Sequence, residues 1–295
     1  MKMIKRCTAV LLILALTLAL AGCGFAAKMT RAAKKMEKLQ SYRMGLDMDM
    51  ALKLSMLGQS MDMDMKISGS SDINTNPPRT KADLRIKMLG QEIPMLSYTD
   101  KTDTGLVTYS SPDGGETWAR QTLESPELAE AAGKNGFANL LKLASSFEKT
   151  GTETVRGSMA TVYSGVISGE DMERVMEMSG ILKNVFSSMD MSMDGLDLTQ
   201  YGSIPTTISL DNKSGMVVRY TMDMTEFMSK LMPAMMDAMM KEAAAESGLG
   251  NLDLSSLGFS AETGRVFAAV ELYDFDAVGA IEIPAEALAA PEAAA

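Results

Sequence analysis

The chain has 295 residues, 46% apolar and 22% charged, which excludes both a disordered chain and a polytopic membrane protein. Its 38 acidic against 28 basic residues argue against nucleic acid as a partner, which needs a basic footprint. With no histidine and only Cys7 and Cys23, histidine triads, histidine metal sites, zinc ribbons and disulfide frameworks are excluded, and 29 methionines are left as the unusual feature.

Residues 1–22 read as a signal peptide. Lys2, Lys5 and Arg6 precede the apolar run Ala9–Leu20. A basic start followed by roughly 7–15 apolar residues is a secretory signal, too short for a comfortable membrane span. The run ends Leu20-Ala21-Gly22-Cys23, which resembles the bacterial lipobox. That resemblance implies cleavage before Cys23, lipidation of its thiol, and a protein lipid-anchored to the outer face of the cell membrane. Cleavage removes three basic and no acidic residues, so the mature chain is more acidic still. Membrane lipid, through Cys23, is then the expected partner.

Residues 23–41 form the anchor and a helix leading into the domain. Phe25, Met29, Ala32, Ala33, Met36 and Leu39 recur at helical spacing, with Lys28, Arg31, Lys34, Lys35 and Lys38 on the remaining surface. This is the one strongly basic stretch of an acidic chain. It reads either as a solvated helix face or as a face drawn to anionic headgroups.

A single domain is expected over 42–284. Leu46 to Met56 alternate with Asp47, Asp49, Lys53 and Ser55; Met61, Met63, Met65 and Ile67 alternate with Asp62, Asp64, Lys66 and Ser68. Period two gives each strand one apolar and one wet face. Ala82–Met88, a strand ending near Tyr98, Gly105–Ser110 and Glu116–Thr122 continue an antiparallel meander, with Asn74–Arg79 as a loop. Ser111-Pro112-Asp113-Gly114-Gly115-Glu116-Thr117-Trp118 matches the Asp-box pattern of β-propellers, but occurs once and reads as a hairpin turn.

Ser125-Pro126-Glu127 opens a helix toward Phe147. Two strands follow, around Thr154–Arg156 and Met159–Ile167. Ser168-Gly169-Glu170-Asp171 resembles a capping box ahead of a helix through Phe186. Ile204–Leu210 and Met216–Met224 form a hairpin, with Met216, Val218, Tyr220, Met222 and Met224 expected on one face. Thr225 is expected to cap a helix whose apolar face carries Phe227, Met228, Leu231, Met232, Met235, Met236 and Met239, kinked or split at Pro233. Leu249–Phe259 reads as loop, and Val266–Phe275 and Ala280–Ile283 as closing strands. Residues 285–295 read as a disordered tail.

The order of these parts resembles the LolA/LppX-type bacterial lipoprotein fold, and in particular Met-rich lipoproteins of Firmicutes. The residues that carry the resemblance are the lipobox, Leu39-Gln40-Ser41-Tyr42 closing the first helix, the hairpin around Asp211–Gly215, and the close Tyr273-Asp274-Phe275 with Ile281-Glu282-Ile283-Pro284. The resemblance implies an α+β fold: a curved antiparallel sheet, an incomplete β-barrel, with helices packed on its concave face. It also implies a lipid or acyl-chain ligand between them.

Methionine is unbranched and polarizable and suits surfaces that adapt to varied apolar ligands. The expected hydrophobic cavity is lined by Met48, Met50, Leu52, Met63 and Met65 from the first hairpin and Met222 and Met224 from a later strand. Phe227, Leu231, Met232, Met235 and Met239 would face them from the helix. Soft thioethers also suit Cu(I), with Met189–Met193 the best candidate, but same-face strand residues lie about 6.6 Å apart and no histidine assists. No carboxylate pair, phosphate loop or nucleophile–base pair stands out. The expectation is a non-catalytic protein with no metal or cofactor that binds a hydrophobic ligand. The alternative is a structural or sensory interaction domain with a filled core.

Overall fold

The computed structural model describes residues 25–56, 59–124, 147–171, 197–246 and 260–293, with the side chains of 54, 56, 236–246 and 261 excepted. Among these residues, 11 antiparallel strands form one open, curved sheet. They are β1 (Ser41–Met56), β2 (Gln59–Thr75), β3 (Pro78–Met88), β4 (Gln91–Lys101), β5 (Gly105–Ser111), β6 (Ala119–Glu124), β7 (Glu148–Val155), β8 (Ser158–Ser168), β9 (Ser203–Asp211), β10 (Val217–Asp223) and β11 (Ser260–Tyr273). The order β6-β5-β4-β3-β2-β1-β11-β10-β9-β8-β7 is two meanders joined edge to edge by β1 and β11. Two hairpins turn on Leu89-Gly90 and Arg156-Gly157, where positive φ at both residues suits the twist of the flanking strands.

Helix α1 covers 25–36. Its apolar stripe is buried as the spacing predicts: Phe25, Met29, Ala32, Ala33 and Met36, with Leu39 just beyond, are at most 5% exposed. It packs on one face of the β8–β9–β10–β11–β1 half, against Tyr163, Ile167, Ile204, Ile208, Leu210, Val270 and Leu272. Phe25 stacks with Phe147 at 6.0 Å and tilts against Tyr163 at 4.7 Å. Phe147 sits where a side chain at position 165 would be: a Cβ on Gly165 would lie 2.1 Å from its ring. Glycine is what lets the ring reach the strand.

Several sequence expectations give way to tertiary structure. Val218 does not share a face with Tyr220 and Met222, because the register shifts between Val217 and Arg219. The bulge sends Val217 into the main core and Val218 to the opposite face with Val155 and Ala160. Helix α2 (Thr225–Glu246) runs through Pro233 without splitting. Its cap is Asp223, whose Oδ1 accepts the Thr225 amide at 3.1 Å. The Thr225 hydroxyl instead accepts the Val266 amide at 3.0 Å, tying the helix to β11. Ser168 does act as a cap, its Oγ accepting the Asp171 amide at 3.1 Å.

The C-terminal segment departs furthest from expectation. Residues 280–283 form no strand. Ile281 lies against Tyr98 and Tyr109 together with Ala287, and Leu96, Val107, Trp118 and Ile283 complete this second core. Residues 285–293, expected as a disordered tail, are held in place. They form a short helix α3 (Ala285–Leu288) and then bridge to β6 at Arg120. The Arg120 amide donates to Pro291 O, and Glu292 accepts from the Arg120 side chain at 2.8 Å. The physical reason is the apolar Tyr98–Trp118 surface, which the strap removes from water.

Register shows that the two cores lie on opposite faces. Tyr98 pairs with Lys81, Lys81 with Asp72 and Asp72 with Arg43. Arg43 belongs to the wet face of β1, whereas its neighbours Met44 and Leu46 join the main core.

Candidate functional site

The first candidate is the methionine face. Directly paired residues of an antiparallel sheet share a side. One row runs Met222, Ala268, Met48, Ile67, Ile86, Ile93 across β10, β11, β1, β2, β3 and β4. The next runs Val266, Met50, Met65, Met88, and a third pairs Leu52 with Met63. The structure therefore brings Met48, Met50, Leu52, Met63, Met65 and Met222 onto one face, the alternate Asp62, Asp64 and Lys66 being exposed. The register adds Ile67, Ile86, Met88 and Ile93. Their signal was the same alternation on β2, β3 and β4, but only strand pairing shows that the rows are continuous.

The face changes character along its length. Met222 and Met224 pack against the main core with Phe227, Leu231, Met228 and Met235 of α2, and Tyr201 meets Phe227 edge-on at 6.2 Å. Here the described side chains pack together as part of the main core. The cluster reaches β1 at Tyr42, Met44 and Leu46. Met48, Met50, Leu52, Met63 and Met65 lie outside it and are half-buried, and Met61 at the hairpin end is 49% exposed. Met232 is half-buried, and the side chain of Met239 lies outside the described residues. Cys23 and Met189–Met193 lie outside them as well.

Burial pushes the pKa of the Tyr42 hydroxyl up, and that of Tyr220 up to about 12, the latter mainly through loss of solvent and less through Tyr42 beside it. This marks the β1–β10 region of the face as apolar.

An open cleft of about 350 Å³ involves Met50, Met65 and Met88 together with Asp49, Asp64, Lys66, Lys87 and Arg265. Lys66 lies 3.3 Å from Asp47 and 3.5 Å from Asp49. The volume suits a small ligand, but the cleft is open and edged by charges, unlike an enclosed ligand site. Among the described residues, no helix is long and apolar enough to cross a membrane, and no group of three His, Cys, Asp or Glu could hold a metal ion.

The Asp-box-like segment is a hairpin turn, as its single occurrence implies. Asp113 Oδ1 accepts the amides of Glu116 and Thr117, each at 3.0 Å, and the Ser111 hydroxyl at 2.6 Å. Trp118 Nε1 closes the turn on Gly115 O at 3.1 Å.

These features define a single-sheet α+β protein with one face filled by helices near α1 and α2 and half-buried methionines farther along it. The chain belongs to DUF6612, a family of unknown function, whose profile matches residues 27–249. Among solved structures it is similar to LprF from Mycobacterium bovis, with a TM-score of 0.43 and 10% identity over 89% of this chain and 97% of that one. It is also similar to the Mycobacterium tuberculosis lipoprotein LppX, with a TM-score of 0.43 and 12% identity over 88% of this chain and 98% of that one. No curated protein matches the chain significantly.

Proposed function

We propose that this protein is a lipid-anchored envelope protein that binds a hydrophobic ligand, a lipid or acyl chain, along its methionine face without catalysis. Cys23 is the anchor, residues 1–22 are removed on export, and α1 and α2 pack on the concave side of the sheet. The observation that carries the ligand reading is the continuity of half-buried apolar side chains from Met48 through Ile67 to Ile86, and from Met50 through Met65 to Met88. Contiguous apolar surface of this kind marks an interaction site more often than isolated exposed residues do. Flexible thioethers let it fit chains of differing shape.

The test is uptake of a fluorescent fatty acid. Met63→Trp, on the half-buried part of the face, is expected to reduce uptake severalfold with an unchanged melting temperature. Met235→Trp, against the filled core, is expected to lower the melting temperature and leave uptake per folded molecule unchanged. Wild-type protein that takes up no probe and carries no co-purified lipid in native mass spectrometry would defeat the ligand reading. The face would then be a docking surface of an interaction domain.

A further inference from the structure

A second concave feature lies beside α1, toward β8 and β9 and apart from the methionine rows. It is a pocket of about 200 Å³ between α1 and the β9–β10 turn, and Lys28, Arg31 and Lys35 line it. Their spacing of three and four residues places them on one stripe of the helix, flanking the buried Phe25–Met36 stripe where it meets the sheet. Thr161, Tyr163 and Asn212 supply neutral polar groups on the facing wall. Two of the cations are held in position: Lys28 Nζ donates to Tyr163 Oη at 3.0 Å, and Lys35 Nζ donates to Ser214 O. Among the described residues, the Arg31 side chain donates only through Nε to Ala27 O of its own helix, at 3.2 Å, so most of its guanidinium fork faces the pocket without a described acceptor.

Asp211 also lines the pocket, but its charge is directed into the protein. Its Oδ1 accepts the turn amides of Lys213 and Ser214, at 3.1 Å and 2.5 Å, and its Oδ2 is buried. The accessible wall is therefore cationic, in a chain whose net charge is −10. Such a wall is matched by a small, multiply oxygenated anion. A phosphate accepts from a guanidinium fork and from ammonium groups at once.

We propose that this pocket binds the phosphate of an anionic membrane lipid and so sets the orientation of the domain on the bilayer. The choice of lipid as the source rests on the Cys23 anchor. The described part of α1 starts two positions after that cysteine in the sequence, and a chain spans at most about 3.6 Å per residue, so Lys28 and Arg31 stay within reach of the headgroups. Near the surface each basic residue is attracted by about 1 kcal/mol. That offsets the repulsion between an acidic domain and an anionic leaflet.

The full chain in dodecyl maltoside, titrated with dioctanoyl phosphatidylglycerol and followed by native mass spectrometry, tests the pocket. Phosphatidylglycerol is expected to bind at least tenfold more tightly than dioctanoyl phosphatidylcholine. Arg31→Gln, which leaves the Tyr163 and Ser214 bonds in place, is expected to weaken it about fivefold, and Lys28→Gln/Arg31→Gln/Lys35→Gln to abolish the preference. Lys34→Gln/Lys38→Gln removes two charges from the same helix outside the pocket and is expected to leave it unchanged. Equal binding of the two lipids, or equal loss from the pocket and off-pocket variants, overturns the site. Displacement by inorganic phosphate at the same concentration overturns the lipid as its source. None of these readouts depends on fatty-acid uptake at the methionine face, and incorporation of labelled lipid that survives Cys23→Ala would separately defeat the anchor.

Discussion

The two ends of the sheet are closed by different means and on opposite faces. At the β8–β1 end, two helices bury a large cluster that includes Met36, Ile204, Ile208 and Val217, each at most 1% exposed. At the β4–β6 end the opposite face is closed by an irregular strap whose core is Tyr98, Tyr109, Ile281 and Ala287. Between them, the β1–β3 part of the helix-side face keeps its methionines half-buried. The difference separates roles. Stability comes from the helix-covered end, the strap protects the other end from water, and the strands between are left with adaptable apolar surface.

The sharpest way to break this comparison is to truncate one side chain on each side of the boundary. Ile208→Ala is expected to cost about 2–5 kcal/mol, as a fully buried branched chain leaves a cavity. Met65→Ala, on the same face but half-buried, should cost about 1 kcal/mol or less, since less apolar area returns to water. Urea denaturation of the two variants measures both. Equal losses would mean that the methionine rows are part of the stabilising core, and the ligand proposal would lose its surface.

The strap is the intermediate case. Ala287 is fully buried among Tyr98, Tyr109 and Ile281. Ala287→Leu adds carbons where there is no space and should cost about 1–3 kcal/mol. Trp118 is the single tryptophan of the chain, and it packs against this core, so its emission should shift to the red as the strap lifts. A stable variant with unshifted emission would show that residues 285–293 do not shield the β4–β6 end.

How much of this could be read in the sequence follows from the range of each interaction. The α1 stripe is local, and all six of its apolar positions are buried. Strand alternation is also local, and Met63, Met65 and Ile67 fall on one side as their period demands. The bulge at Val217 was invisible because Val217 and Val218 fit either face equally well. The strap was missed because Ala285 to Ala290 is small and weakly apolar, and its burial depends on an aromatic surface formed some 170 residues earlier. The same limit applies to the site. Alternation marked the methionines as one face of each strand, but which of them α2 covers is set by pairing of β1 with β11, more than 200 residues apart.

The smallest expected effect concerns a turn at the strap-covered end, and it sharpens the comparison by pH. The Ser111 hydroxyl holds the Asp113 carboxyl well below the ordinary carboxylate range, followed by the Thr117 hydroxyl and amide and then the Glu116 amide. All of these donors favour the ionised form. A folded ionisation point below the unfolded one means that the turn's contribution is fully present above the ordinary aspartate value of about 3.9 and is lost as pH falls through the folded value. Asp113 is half-buried at a surface turn, where solvent screens it, so the contribution is small, and its readout is the titration of the group itself. Carbon-13 NMR should find the Asp113 carboxyl still ionised near pH 3, where an ordinary aspartate is mostly protonated. Asp113→Asn keeps an acceptor oxygen for the amides but removes the charge. It should loosen the β5–β6 turn and perturb Trp118, whose indole closes the same turn, while leaving α1 and α2 unaffected. A midpoint near 4 would mean that the side chain is not held by the turn, and that the order of this end comes from the strap alone.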